Sequence, residues 1–303
     1  MKNSNTRRLL AALRFWGGYA LFGGVVIYGI YHAPEEIWKL KLQWLLLAAL
    51  VFLAMMVLQT LQVCIFLKVH DMKCGWFWPA LFTVKKGVLN SVLPARTGTL
   101  ALMYMLTQRY QVKWHEYLRF SIVASCASLL VSGLAFAWIV LSQVNFLMMF
   151  VGSILGCYVL SRVFSRTYMV RFVALFGVGL GLYTTMLISF WCLLNGLGMP
   201  LDFRATSYFA TAVNTLAQLA VTPGNIGIRE LVTGMVAPYV SLDIAVGIIV
   251  GGIFHVVRTT VYAVAMVALE KLAKSRSELS YAALSDIDQR KTRQNVSATL
   301  KQR

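Results

Sequence analysis

Ala220-Val-Thr-Pro223-Gly224-Asn225-Ile-Gly227-Ile-Arg229-Glu230 breaks the otherwise apolar stretch 204–239 at its centre, and Ser91-Val-Leu-Pro94-Ala-Arg96-Thr-Gly98 does the same to 76–108. Proline lacks the backbone donor that a helix interior needs and pushes the preceding residue out of helical geometry, so neither stretch reads as one continuous helix. Both breaks carry Pro-x-x-x-Gly and are followed by an apolar helical pattern. Alone, that spacing arises often by chance. Its recurrence at corresponding positions is what makes it informative.

The residues around the breaks identify the solvent. The 303-residue chain is 59% hydrophobic and 13% charged, with a mean hydropathy of +0.70, whereas a soluble domain is roughly 25% charged and about 45 to 50% apolar. An integral membrane protein is therefore expected. Apolar runs at 15–31, 43–67, 117–141, 145–160, 168–195 and 242–269 approach or exceed the ~17 to 25 residues with which a helix crosses a bilayer. Alternating segments of the outer-membrane barrel type are missing. The expected fold is an all-α polytopic bundle.

Charge orients it. The net charge of +17 comes from bases beside apolar runs and at the ends, which favours anionic lipid headgroups over nucleic acid. Lys2, Arg7, Arg8 and Arg14, then Arg109, Lys113 and Arg119, then Arg162, Arg166 and Arg171 mark cytoplasmic connections, while 32–42, 142–145 and 196–203 hold balanced or almost no charge. The basic amino-terminal segment resembles a secretory signal, but no convincing cleavage site follows, so an uncleaved first span is expected. These signs agree with six spans only if each broken stretch enters and leaves on one side, 76–108 from the cytoplasm and 204–239 from outside. Two halves then follow, 1–160 and 161–270, as an inverted repeat with a re-entrant half-helix pair in each. The basic tail 271–303 is cytoplasmic and expected to be disordered or to lie on anionic lipid. Repeats broken at matching positions by Pro and Gly point to a midplane binding site of the secondary-transporter kind.

The first backbone N–H groups of a helix starting inside the membrane lack intrahelical partners and favour an anion. The starts at 94–100 and 223–229 would present such donors, with Arg96 and Asn225 adding side-chain donors, Arg96 in the bidentate manner that suits phosphate. The alternative is that Pro and Gly merely turn a loop while Arg96 snorkels to the surface. Lys85, Lys86, Arg229, Glu230, His255 and Arg258 fall at bilayer depth, where a charge costs about 2.5 to 3.5 kcal/mol on insertion scales and usually faces an interior or a wet cavity. Lys85 and Lys86 fit the headgroup level equally well. Glu230 is expected to pair with Arg258 as a counter-charged gate, and His255 to be a packed, hydrogen-bonded residue. Gln59, Gln62, Asn90, Asn214 and Gln218 either line a cavity or hydrogen-bond between helices. Gly152 with Gly156, Gly177 with Gly181, and Gly247 with Gly251 have the spacing for close helix contact.

Cys64, Cys74, Cys126, Cys157 and Cys192 are scattered without a CxxC pair or a metal-ligand spacing, so they read as packing residues, and neither metal nor cofactor is expected. Catalytic signatures such as HExxH, GxSxG or a P-loop are missing, which disfavours an enzyme. The Asn295-Val-Ser sequon would be inert on the cytoplasmic side.

At its two breaks the chain resembles the membrane region of lysylphosphatidylglycerol synthase/flippase proteins and their stand-alone bacterial relatives. Pro94, Arg96 and Gly98 match that family's Pro-x-Arg-x-Gly-Glu run, and Pro223, Gly224, Gly227 and Glu230 match its Pro-Gly-x-x-Gly-x-x-Glu run. The chain departs at Thr99, where the family usually has an acid, and over 121–130, which lacks the family's acid and base. The resemblance implies translocation of membrane lipids, or support of envelope lipid and polysaccharide synthesis, without aminoacyl transfer. The reading that unites these signs is a bacterial inner-membrane protein, both termini cytoplasmic, that moves an anionic phospholipid or lipid-linked envelope precursor. Pro94, Arg96, Gly98, Pro223, Gly224, Asn225, Gly227, Glu230 and Arg258 form its expected ligand site. A non-transporting scaffold for an envelope-biosynthesis enzyme, a glycosyltransferase or a lipid-modifying enzyme, and a proton-coupled small-solute carrier using Glu230 and His255 are the alternatives.

Overall fold

The computed structural model describes residues 20, 22–25, 27–32, 40–92, 97–141, 166–219, 225 and 227–301. Every regular element among them is helical: α1 (Phe22–His32), α2 (Leu42–Val69), α3 (Phe77–Val92), α4 (Thr97–Tyr110), α5 (Trp114–Val140), α6 (Arg166–Gly196), α7 (Phe203–Leu219), α8 (Ile228–Val236), a 3-10 turn at Ala237–Val240, and α9 (Ile244–Lys301). Four stretches are long and apolar enough to cross a membrane: Leu42–Val69, Trp114–Val140, Phe172–Gly196 and Ile244–Ser275. They coincide with four of the six expected spans. The expected span 145–160 lies outside the described residues, as does the start of 15–31, whose remainder overlaps α1.

Their outer surfaces explain the composition. On α2, Leu46, Leu50, Leu53, Val57 and Leu61 are exposed and recur every three or four residues, so they form one apolar stripe. Water disfavours such a stripe, and lipid accepts it.

Local chemistry ends the helices where they end. α2 stops at His70 and Asp71, the latter in left-handed geometry (φ 54°), and the Met72 N–H returns to the Leu67 carbonyl while the Asp71 N–H returns to that of Lys68. This is a Schellman closure with aspartate in the usual glycine place. Asp202 Oδ1 accepts the Ala205 N–H at 2.6 Å and Asp243 Oδ1 that of Ala245 at 2.9 Å, capping the starts of α7 and α9.

Two helix pairs replace the two broken stretches. α3 and α4 fold back on each other: a Cβ at Gly98 would collide with the Lys86 carbonyl and with Asn90, and Arg109 at the end of α4 covers the Trp78 ring near the start of α3 at 3.7 Å. α7 runs antiparallel to α5, with Arg204 donating to the Ile139 carbonyl (2.7 Å) and Asn214, further along, donating to Ser132 Oγ (2.7 Å). α8 then returns antiparallel to α9 along a seam of small residues. A Cβ at Gly247 would strike the Thr233 carbonyl, and one at Gly251 the Thr233 hydroxyl. The expected close contact at Gly247 and Gly251 is therefore present. A Cβ at Gly181 would press on Leu58 of α2, one at Gly177 would meet nothing within 4 Å, and Gly152 and Gly156 lie outside the described residues.

The main core joins α2, α6, α7 and α9 through Phe52, Phe190, Phe209 and Phe254. Phe190 stacks on Phe254 at 4.5 Å, and Phe52 meets Phe254 edge-on at 5.0 Å. A second cluster, with Val63, Phe66, Phe82, Leu102 and Tyr117, lies beneath α3 and α4. One expectation changes at the carboxyl end. α9 continues as helix to Lys301, so of the two expectations for 271–303, disorder or a place on anionic lipid, the disordered one is not met over 271–301. Its Ala, Leu, Lys, Arg and Gln content favours helix.

Candidate functional site

Between the two apolar clusters lies a cavity of about 290 Å³, to which Met55 and Met186 contribute from one cluster and Val63 and Tyr117 from the other. Its remaining walls are largely polar. Gln59 and Gln62 project from α2, Lys86 and Asn90 from α3, Thr99 from α4, Asn214 from α7, and Arg258 from α9, while Asn225 and Arg229 enter from the α7–α8 break. Four of the five uncharged residues expected either to line a cavity or to bridge helices thus line it, and the Gln218 side chain lies outside the described residues. Three of them also do the other, Asn90 of α3 donating to Thr99 Oγ1 of α4 at 3.5 Å. Asn214 binds Ser132 across helices, and the Tyr262 hydroxyl donates to Gln59 Oε1 at 3.0 Å.

The expected site residues divide into three groups. Pro94, Arg96, Pro223 and Gly224 lie outside the described residues. Asn225 and Arg258 line the cavity, Asn225 in left-handed geometry (φ 55°) with its amide nitrogen donating to the Leu216 carbonyl at 2.9 Å. Gly98, Gly227 and Glu230 do other work. Gly98 permits the tight approach of α4 to α3. The Gly227 N–H, expected to face a ligand, instead donates to Glu230 Oε2 at 2.7 Å. That bond is the carboxylate half of a capping box.

The expected Glu230–Arg258 gate is corrected by the same bond. Glu230 has no exposed surface, its second oxygen has no hydrogen-bond partner, and no ion pair joins it to Arg258 among the described residues. A glutamate at the third helical position reaches back to its own helix start more readily than across to a neighbouring helix. His255 is hydrogen-bonded as expected: Arg229 Nη1 lies 2.8 Å from its Nδ1. A guanidinium only donates, so that nitrogen accepts and the ring proton sits on Nε2.

The two adjacent lysines part company. Lys85 pairs with Glu270 at 2.8 Å, whereas Lys86 faces the cavity, because neighbours on a helix point about 100° apart. Lys86, Arg229 and Arg258 therefore surround the cavity, and no carboxylate lines it among the described residues. Arg229 is only 4% exposed. Cations at such depth are stabilised by an anion or by dipoles aimed at them.

Sequence reasoning passed over one wall. Ser121, Ser125 and Ser128 of α5 line the cavity, and Ser132 continues the row toward Asn214. Their spacing of four, three and four is one helical face, a signal that was present but carried no charge to draw notice. The cysteines also hold more than packing, since the Cys74 thiol approaches Cys64 Sγ at 3.4 Å.

No family model, curated protein or solved structure matches the chain. Among the described residues, fold and site together describe an all-helical protein with four helices of membrane-crossing length and apolarity around a polar, cation-lined cavity.

Proposed function

We propose that this is a multi-pass inner-membrane protein, with both termini cytoplasmic, that binds the anionic headgroup of a phospholipid or lipid-linked envelope precursor in the central cavity and moves it between leaflets. In this reading the pairs α3–α4 and α7–α8 are re-entrant from opposite faces and belong to an inverted repeat, the arrangement of the lysylphosphatidylglycerol synthase/flippase membrane region. The observation that carries it is the cavity wall: residues of both pairs meet there, and its charged members are all cations. Backbone that turns at bilayer depth is tolerated where it lines such a cavity, and anion affinity there follows from fixed positive charge in a poorly solvated site. The chain's own groups would hold the headgroup and release it, without a covalent step.

The test is leaflet exchange of a fluorescent anionic phospholipid in vesicles reconstituted with the pure protein. Arg258→Gln and Lys86→Gln should each slow exchange at least tenfold while the protein still folds and inserts, and Arg96→Ala should do likewise if Arg96 grips phosphate. Wild-type rates in all three would overturn the proposal.

The scaffold reading draws on α9, which continues about 26 residues beyond Ser275, roughly 39 Å at 1.5 Å per residue. A stoichiometric enzyme copurifying with a protein that moves no lipid would favour it. The proton-coupled carrier needs Glu230 and His255 free to exchange protons with the cavity. Glu230 Oε2 and His255 Nδ1 are already engaged by Gly227 and Arg229, and neither residue lines the cavity.

A further inference from the structure

We infer that the cavity selects a headgroup bearing two negative charges, a phosphomonoester or diphosphate, over the single charge of a phosphodiester lipid; this rests on the anion-binding reading above. The charges on the cavity wall set this preference. Among the described residues, four cations lie at this depth on α3, α8 and α9, and of these Lys85 is matched by Glu270. Glu230 adjoins Arg229 in sequence and is buried with it, so its charge offsets that of Arg229 even though its Oε2 caps the helix. Lys86 and Arg258 are left on the cavity wall, and neither has a carboxylate partner among the described residues. A singly charged phosphodiester would leave one of them uncompensated, whereas a phosphomonoester carries about −1.5 to −2 at pH 7. The uncharged walls fit the same ligand. Gln62, Asn90, Thr99, Ser121 and Ser125 offer amide and hydroxyl donors to the additional oxygens of a terminal phosphate. A space of about 290 Å³ accommodates a phosphate or diphosphate.

The full-length protein is titrated in neutral micelles with phosphatidic acid, with phosphatidylglycerol and with inorganic pyrophosphate, binding being read by native mass spectrometry. Phosphatidic acid should bind at least tenfold tighter than phosphatidylglycerol. Lys86→Gln and Arg258→Gln should each abolish that preference, weakening phosphatidic acid at least tenfold more than phosphatidylglycerol. Lys86→Arg and Arg258→Lys, which keep the charge, should retain the preference, and so should Lys85→Gln. Pyrophosphate binding as tightly as phosphatidic acid would support the dianion and assign it to a free rather than a lipid source. Equal binding of the two lipids by the wild type, or a preference that survives both glutamine variants, overturns the dianion inference while leaving anion binding intact. No binding of any probe overturns both.

Discussion

Glu230 illustrates how one side chain invites two roles that only geometry separates. Its position after a Pro-Gly break suggested a charged partner on the last span, yet its Oε2 holds the Gly227 N–H at the start of α8. The two roles predict different substitution patterns. Glu230→Gln keeps an acceptor for that N–H and loses only the charge that offsets Arg229, so it should lower the melting temperature in detergent less than Glu230→Ala does. Glu230→Ala removes the cap and leaves a buried donor unpaired, a loss of about 1 to 3 kcal/mol. Equal damage from both would instead point to an essential negative charge. Glycines permit a similar contrast. Gly251→Val would drive a side chain into Thr233 and the Glu230 backbone, and overpacking of this kind destabilises by about 1 to 3 kcal/mol. Gly133, where an added Cβ would meet nothing within 4 Å, should accept alanine with unchanged or slightly higher stability, since alanine favours helix by up to about 1 kcal/mol.

At the scale of elements, the helix breaks were legible because their causes are local. The expected interruption at 91–98 falls between α3 and α4, and that at 220–227 between α7 and α8. Proline and glycine act on their own few residues, whatever packs around them. The docking of α3 was not legible, because it depends on groups far away in the chain: Lys85 on Glu270, Gly87 beneath the Tyr262 ring, and the segment before α3 beside α2 through Cys74 and Cys64. That last approach can be checked directly. Mild oxidation with copper phenanthroline should form an intrachain Cys64–Cys74 disulfide, found by mass spectrometry of the digested protein and lost in Cys74→Ser. Failure of the two thiols to react under conditions that oxidise a cysteine pair engineered in solvent would place α3 elsewhere.

For the whole molecule, the connections fall into two sets. Lys41 N–H donates to the Gly196 carbonyl at 3.0 Å and Arg204 reaches Ile139, which gathers the start of α2, the ends of α5 and α6 and the start of α7. Single cysteines at Gln111 and at Leu242, in a background lacking the native cysteines, should therefore react with a membrane-impermeant maleimide from opposite sides. Labelling of both from one side would remove the opposed-pair architecture. Composition alone determined that the chain is helical and suited to lipid, because the bilayer imposes one simple requirement on every exposed residue: apolar surface with its backbone bonds satisfied internally. It also marked the breaks and the polar residues at depth. Which of those residues share a wall, and which spend themselves on caps and neighbours, was decided by tertiary structure. A charge at depth must find a partner or a cavity, and sequence spacing does not say which of several distant helices supplies it.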